Sequence, residues 1–211
     1  EQIRARRDAM SGELFFDILL KLGGIEKPAS LYPPVDLSSL QRLLDAIESV
    51  TYDTMKRDCL IYYLLRWQMD GRESTFAEEK VISPHYVALA DSYWYLDLNT
   101  NLGGAIGLLS DARIVKDYTS KILETLALSA ESGPLIRKFV RTCKPALREQ
   151  SDLKRYLIAL AEFSMVEAWQ YQKTFPEGQA VRRKLIHSLL MWAFTRAYSQ
   201  LSLLITYNLS L

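Results

Sequence analysis

Apolar residues recur along this chain at spacings of three and four, and sustained alternation is nearly absent, so the pattern predicts helices almost throughout. Leu14, Phe15, Ile18, Leu19 and Leu22 fall on one face of a first helix, with Ser11 placed to cap it and Gly23-Gly24 to end it. The connector from Ile25 to Val35 is stiffened by Pro33-Pro34. Asp36 then has the chemistry of an N-cap for a helix bearing Leu37, Leu40, Leu43, Leu44 and Ile47. Thr51 or Asp53 opens a third helix with an inner face of Met55, Cys59, Leu60, Tyr63, Leu64 and Trp67, and with Lys56, Arg57 and Arg66 turned away. Asp70-Gly71 makes a turn, and Ser74 opens a short helix with Glu78 and Glu79 in its first turns.

Ser83-Pro84 is the sharpest helix start, a capping residue followed by one whose φ is preset. The helix behind it, His85 to Asp97, is apolar around most of its girth, which predicts a central helix with neighbours on several sides and Trp94 in the core. Asn99 to Asn101 breaks the pattern. A short helix with Ala105, Leu108 and Leu109 follows, in which Gly103 and Gly104 lower the propensity and permit close approach of the preceding helix. Further helices are expected around Ile122, Leu123 and Leu126, and from Pro134 to Arg148 with Phe139, Val140, Cys143 and Leu147 inside, separated by Gly133-Pro134. The second of these is bent or shortened at Pro145. Ser151 caps a helix containing Tyr156, Leu157 and Leu160, and another carries Val166, Trp169 and Tyr171. After the turn Phe175-Pro176-Glu177-Gly178, a long last helix carries Leu185, Leu189, Trp192, Phe194, Tyr198 and Leu201. The expectation is an all-α fold, an irregular, α-solenoid-like stack of about ten short helices. Trp94, Trp67, Tyr63 and Leu185 are expected in its core. No linker divides the chain, so residues 1–10 read as an N-terminal extension and 11–211 as a single domain.

Composition narrows this. A chain of 211 residues that is 49% hydrophobic can offset its folding entropy without disulfides. Its two cysteines, Cys59 and Cys143, have no metal spacing and read as reduced, buried thiols of an intracellular protein. A formal charge of +1 gives no support for a general nucleic-acid binder. The opening Glu1-Gln2-Ile3-Arg4-Ala5-Arg6-Arg7 has no initiator Met and no secretory pattern, and reads as the edge of a fragment. The apolar stretch from Leu185 to Leu211 is interrupted by Arg196 and falls short of a bilayer crossing, so a buried terminal helix is expected rather than membrane insertion.

Candidate chemistry is sparse. His85 and His187 stand on separate helices, and Cys59 has Asp58 beside it but no nearby histidine. Glu78-Glu79 and Asp111 have nothing to place them across a cleft. Gly103-Gly104-Ala105 follows no strand and lacks the Lys-Ser/Thr of a nucleotide site. No catalytic, cofactor-binding or metal-binding residue is assigned, and no cofactor or small-molecule substrate is expected. Two basic clusters remain. Arg137, Arg141, Lys144 and Arg148 follow at steps of four, three and four, which would form one helical stripe, either a solvated face or a docking stripe for an acidic partner. Arg182-Arg183-Lys184 opens the last helix, where the dipole disfavours cations, and is answered by Glu177 or by a partner.

The order of several motifs resembles a known family. Ser30-Leu31-Tyr32-Pro33-Pro34-Val35-Asp36-Leu37-Ser38-Ser39-Leu40, then Leu60-Ile61-Tyr62-Tyr63-Leu64-Leu65 with Asp70-Gly71, are similar to the opening of the ELYS-like domain of the nuclear pore. So is the run from Phe76-Ala77-Glu78-Glu79 through Ile82-Ser83-Pro84-His85-Tyr86 to Asp91-Ser92-Tyr93-Trp94-Tyr95-Leu96-Asp97. Ala105-Ile106-Gly107-Leu108-Leu109, Lys121-Ile122-Leu123-Glu124-Thr125-Leu126 and Glu167-Ala168-Trp169-Gln170-Tyr171-Gln172 continue the likeness from about residue 11 to the end. The resemblance implies a helical scaffold nucleoporin at the nuclear envelope, without catalysis, docked on the Y-shaped pore subcomplex near its long-arm members. Nothing here resembles the β-propeller or the basic chromatin-binding tail of animal members, so nucleic acid is not an expected partner of this piece. Two other readings stay open: a helical adaptor of another assembly, such as a vesicle coat or the proteasome lid, and a nucleic-acid- or chromatin-binding helical module.

Overall fold

A computed structural model describes residues 2–115 and 117–196, and all regular structure among them is helical. Twelve α-helices occur among the described residues, more than the ten or so expected. The chain divides into two compact units, Glu1–Val115 and Lys116–Leu211.

The first unit contains α1 (Gln2–Ala9), α2 (Phe15–Leu22), α3 (Leu37–Ser49), α4 (Thr54–Leu65), α5 (Arg72–Glu79), α6 (Pro84–Leu98) and α7 (Leu102–Leu109). Its axis is α6, against which α1, α2, α4 and α7 all pack. Ala90, Tyr93, Trp94, Leu96 and Asp97 are buried on different sides of α6, and that is why its sequence shows no single apolar face. Rings fill the space beside it. Phe15 stacks on Tyr93 at 4.7 Å and Phe16 on Tyr63 at 4.4 Å, while half-buried Trp67 meets buried Trp94 edge-on at 5.8 Å.

Several local expectations are corrected. Within the segment 1–10, read as an extension, Arg7 and Met10 are buried in this unit. Ser11 does not cap α2: it has φ of +56°, and the Leu14 N–H donates to Asp17 Oδ2 at 2.9 Å instead. The buried residues of α2 are Phe15, Phe16, Asp17 and Leu20, and Leu22 is exposed. Asp36 does cap α3, reciprocally with Ser39: the Ser39 N–H donates to Asp36 Oδ1 at 2.7 Å and the Asp36 N–H to Ser39 Oγ at 2.9 Å. Leu37, at the first helical position, faces solvent and is 81% exposed, so Leu43 and Ile47 carry the buried stripe. On α4, Met55 is exposed and Cys59 half-buried. Gly71, at φ +85°, starts α5 ahead of Ser74, which moves Glu78 and Glu79 to the helix end. There Val81 N–H donates to Glu78 O at 3.1 Å and Ile82 N–H to Ala77 O at 2.9 Å, the pairing of a Schellman close. Gly104 is needed for Asn101 rather than for a neighbouring helix, because a Cβ there would collide with the Asn101 side chain that caps α7.

The second unit contains α8 (Thr119–Ala127), α9 (Ser132–Cys143), α10 (Gln150–Phe163), α11 (Met165–Lys173) and α12 (Ala180–Arg196). Here α10 is the axis, with α8, α9, α11 and α12 around it. Leu157, Leu160, Met165, Trp169, Leu185, Leu189 and Ala193 form the core between α10, α11 and α12. Helix α9 stops at Cys143, where Lys144 takes φ of +47° ahead of Pro145, so Leu147 and Arg148 lie beyond it. Gly133 belongs to the first turn of α9 and does not separate helices. Ser151 sits inside α10, whose N-cap is Glu149. Phe194 is exposed on α12, and Tyr198 and Leu201 lie outside the described residues.

Candidate docking surface

Polar groups buried in the first unit are spent on holding helices. The Arg7 guanidinium donates to both carboxylate oxygens of Asp17, at 2.7 and 2.9 Å, and to the Tyr32 carbonyl at 2.7 Å. Asp97, near the end of α6, accepts the first amides of α2, Phe15 N–H at 2.8 Å and Phe16 N–H at 3.0 Å, together with the Tyr63 hydroxyl at 2.7 Å. Burial pushes the Asp97 carboxyl up to about 7, against these three donors, which pull it down. Arg66, expected to turn away from the core, is instead drawn in between α5 and α6. It reaches Glu73 and Asp91 at 3.1 Å each and the Tyr95 hydroxyl at 3.2 Å, and it lies over the Trp94 ring at 5.1 Å. Desolvation raises the Asp91 carboxyl, which also accepts from the Tyr62 hydroxyl at 2.9 Å.

The other titratable candidates are dispersed. Burial, reinforced by Asp58, pushes the Cys59 thiol up to about 12, which keeps it protonated and weakly nucleophilic. Cys143 is buried on α9. His85 is half-buried and His187 exposed. Asp111 is held well below the usual carboxylate range by Arg113, two residues on. Among the described residues, no cluster of His, Cys, Asp and Glu has the form of a metal site, and no helix is long and apolar enough to cross a membrane.

The second unit carries the basic clusters. Only Arg137 and Arg141 of the expected stripe share the helix α9. Lys144 follows its last residue and Arg148 lies in the segment leading to α10, so the four do not form one helical face. The Arg137 guanidinium lies 3.7 Å from the centroid of the Phe163 ring, which is 70% exposed at the end of α10. Arg141 pairs with Glu167 and is also hydrogen-bonded to the Tyr156 side chain. Tyr156 in turn meets Tyr171 edge-on at 5.0 Å, and Tyr171 meets Phe175 at 5.6 Å. Arg148 lines a cavity of about 420 Å³ with Tyr118, Thr119 and Lys121. A second, shallow cavity of about 400 Å³ lies between α9 and α10, lined by Ser132, Gly133, Ile136, Lys154, Ile158 and Glu162 among others. Gly133 matters to it, because a Cβ there would run into the Glu162 carboxylate. In the other cluster Arg182 reaches Glu177 at 3.3 Å and the Gln172 side chain at 2.8 Å. Arg183 donates to the Gly178 carbonyl and Lys184 to the Gln150 side chain, so the chain itself answers these cations.

The division into units also exposes a property hidden by the whole-chain charge. The first unit has twelve Lys and Arg against seventeen Asp and Glu, and the second has fourteen against eight. The near-neutral chain is thus an acidic unit of formal charge −5 joined to a basic one of +6. Counting each half of the sequence separately would have found this. Phe163 and Glu167, the partners of the two helical arginines, carried no comparable signal.

Comparison with known proteins shows the family to which the chain belongs. A family model described as ELYS, nuclear pore complex assembly, matches residues 13–211. The uncharacterized protein ely5 of Schizosaccharomyces pombe is 32% identical over 187 residues, which is 88% of this chain and 61% of that protein. Protein ELYS of Xenopus laevis is 25% identical over 166 residues, 74% of this chain but 7% of that protein. The chain therefore spans about three fifths of the first relative and a small part of the second. By the extent of the family match, this chain belongs to the ELYS family of nuclear pore complex assembly, proteins of the nuclear pore and nuclear envelope.

Proposed function

We propose that the chain is a non-catalytic scaffold domain that docks on the Y-shaped subcomplex of the nuclear pore, beside its long-arm nucleoporins, with residues 11–211 working as one piece. The family match over 13–211 is the observation that carries this reading. The use of buried charge supports it. Asp17, Asp97, Glu73 and Asp91 are engaged with Arg7, with helix amides and with Arg66, so the strongest ionic constellations position helices against one another. A scaffold needs such fixed surfaces, because a docking face held rigid before binding loses less conformational entropy when a partner arrives.

The test is to tag the full-length protein at its natural locus. A punctate nuclear rim, with Y-complex subunits recovered alongside the tagged protein, is the expected result. A diffuse signal without those subunits would remove the reading.

A further inference from the structure

We propose that the α9–α10 face of the second unit is the docking site for an acidic segment of a partner protein that also carries an apolar side chain, with Arg137 stacked on Phe163 as the anchor. The inference rests on the scaffold reading above and adds the chemistry of the partner.

Three observations converge on this face. First, it belongs to the unit that carries the chain's excess of cations, so its long-range field attracts an anionic partner. Second, Arg137 is ordered in advance. Lying 3.7 Å from the centroid of the Phe163 ring, its guanidinium has already lost much of its rotamer freedom, and its Nε is buried without a hydrogen-bond partner. A guanidinium seated over a ring spends none of its N–H groups on that contact and keeps them for a carboxylate. An exposed Phe beside an Arg also matches the residue types enriched at protein interfaces. Third, the shallow cavity beside it has an apolar floor and a cation at its rim. Ile136 and Ile158 line it together with Lys154, and two of its residues, Ile136 and Glu162, adjoin Arg137 and Phe163 in sequence. Lys144, Arg148 and Lys154 are exposed and have no ion pair among the described residues. A segment with spaced carboxylates can set one on Arg137 and one on Lys154, and place an apolar side chain between Ile136 and Ile158.

A nucleic-acid strand fits this face poorly. Glu162 lines the same cavity, and Glu167 stands at Arg141. A duplex carries one negative charge per roughly 1.7 Å of axis and would meet these carboxylates repeatedly. A peptide with separated acids leaves gaps where they stand.

The experiment uses the full 211-residue chain and three labelled probes in fluorescence anisotropy. The probes are a short peptide of Asp and Glu interleaved with Leu and Phe, the same peptide with Asn and Gln in place of the acids, and a short DNA duplex. The acidic peptide is expected to bind, more weakly as salt rises, and the amide peptide not to. Arg137→Glu and Lys154→Glu are each expected to weaken acidic-peptide binding about fivefold or more. Lys154 is exposed and outside any ion pair among the described residues, so Lys154→Glu should leave the melting temperature unchanged and keeps the test valid if Arg137→Glu does not fold. Equal affinity of Lys154→Glu and wild type for the acidic peptide overturns the proposal. So does equal binding of the amide peptide, or tighter binding of the duplex than of the acidic peptide. Rim localisation is read separately in cells, so the pore reading and this one can fail independently.

Discussion

Replacing Asp97 tests the centre of the first unit. In Asp97→Ala, the Phe15 and Phe16 amides and the Tyr63 hydroxyl all lose their acceptor in a site closed to solvent. A buried donor left unsatisfied costs roughly 1–3 kcal/mol. Even with one water entering the space, the variant should lose about 3–6 kcal/mol, a large part of the roughly 5–15 kcal/mol available to a domain. Asp97→Asn is milder. Its single carbonyl oxygen can serve two of the donors, so about 1–3 kcal/mol is expected for the third. The two variants also separate geometry from charge. The Asp97 carboxyl sits at about 7 in the folded chain against an ordinary value of 3.8, so between these the folded state holds a proton that the unfolded state has released. Tyr63 can accommodate that proton by turning its hydroxyl from donor to acceptor. A raised carboxyl contributes stability that is complete below about pH 4 and lost as pH rises through about 7. Urea unfolding followed by circular dichroism at pH 5 and pH 8 should therefore show the wild type losing more stability across the interval than Asp97→Asn, which cannot titrate there. Identical pH slopes, or a loss below about 1 kcal/mol in Asp97→Ala, would refute the closed network.

Two further outcomes follow from packing and backbone conformation. Trp94→Ala removes a buried ring that meets Trp67 and lies under Arg66, and should cost about 3–5 kcal/mol by chemical denaturation; a loss under about 1 kcal/mol would place Trp94 outside the core. Val81 is 78% exposed and holds φ of +54° at the Schellman close of α5, a conformation unfavourable for a β-branched residue, so Val81→Gly should raise stability by about 1 kcal/mol, and a destabilised variant would show that the side chain packs where none is seen.

Helix existence was legible in the sequence wherever apolar spacing and capping chemistry agreed. Asp36 and Asp53 cap the helices they predict, because a cap acts within one turn and its signal is local, whereas Ser83 makes no side-chain cap bond and the start of its helix is marked by Pro84 at the first helical position. The failures come from distant partners or from chemistry that sequence spacing cannot show. Arg66 looked like a surface cation because its carboxylates lie 7 and 25 residues further along, on other helices. Asp17, to which the apolar pattern assigned no role, is the internal counter-ion of Arg7, from a segment read as an extension. The basic stripe was drawn through Pro145, where the helix had already ended, so its spacing was right only for Arg137 and Arg141. A Val in the left-handed region gives no warning at all, since the position normally announces itself by a Gly. The whole-chain charge concealed the two opposed halves because it is a sum, and a sum carries no position.

The clamp between Asp97 and the start of α2 has a consequence for how the protein is made. The Phe15 amide and its acceptor are 82 positions apart, so on the ribosome α2 emerges long before the group that receives its first N–H. An isolated eight-residue helix is too short to persist in water, and α2 has that length. Until residue 97 has been synthesised and has cleared the exit tunnel, Phe15 and Phe16 lack their hydrogen-bond acceptor, and Phe15 gains the Tyr93 ring it stacks on only shortly before. The first unit therefore closes late and nearly as a whole, after α6 is complete. A nascent chain that stalls within α6 leaves an aromatic, uncovered surface to the chaperones.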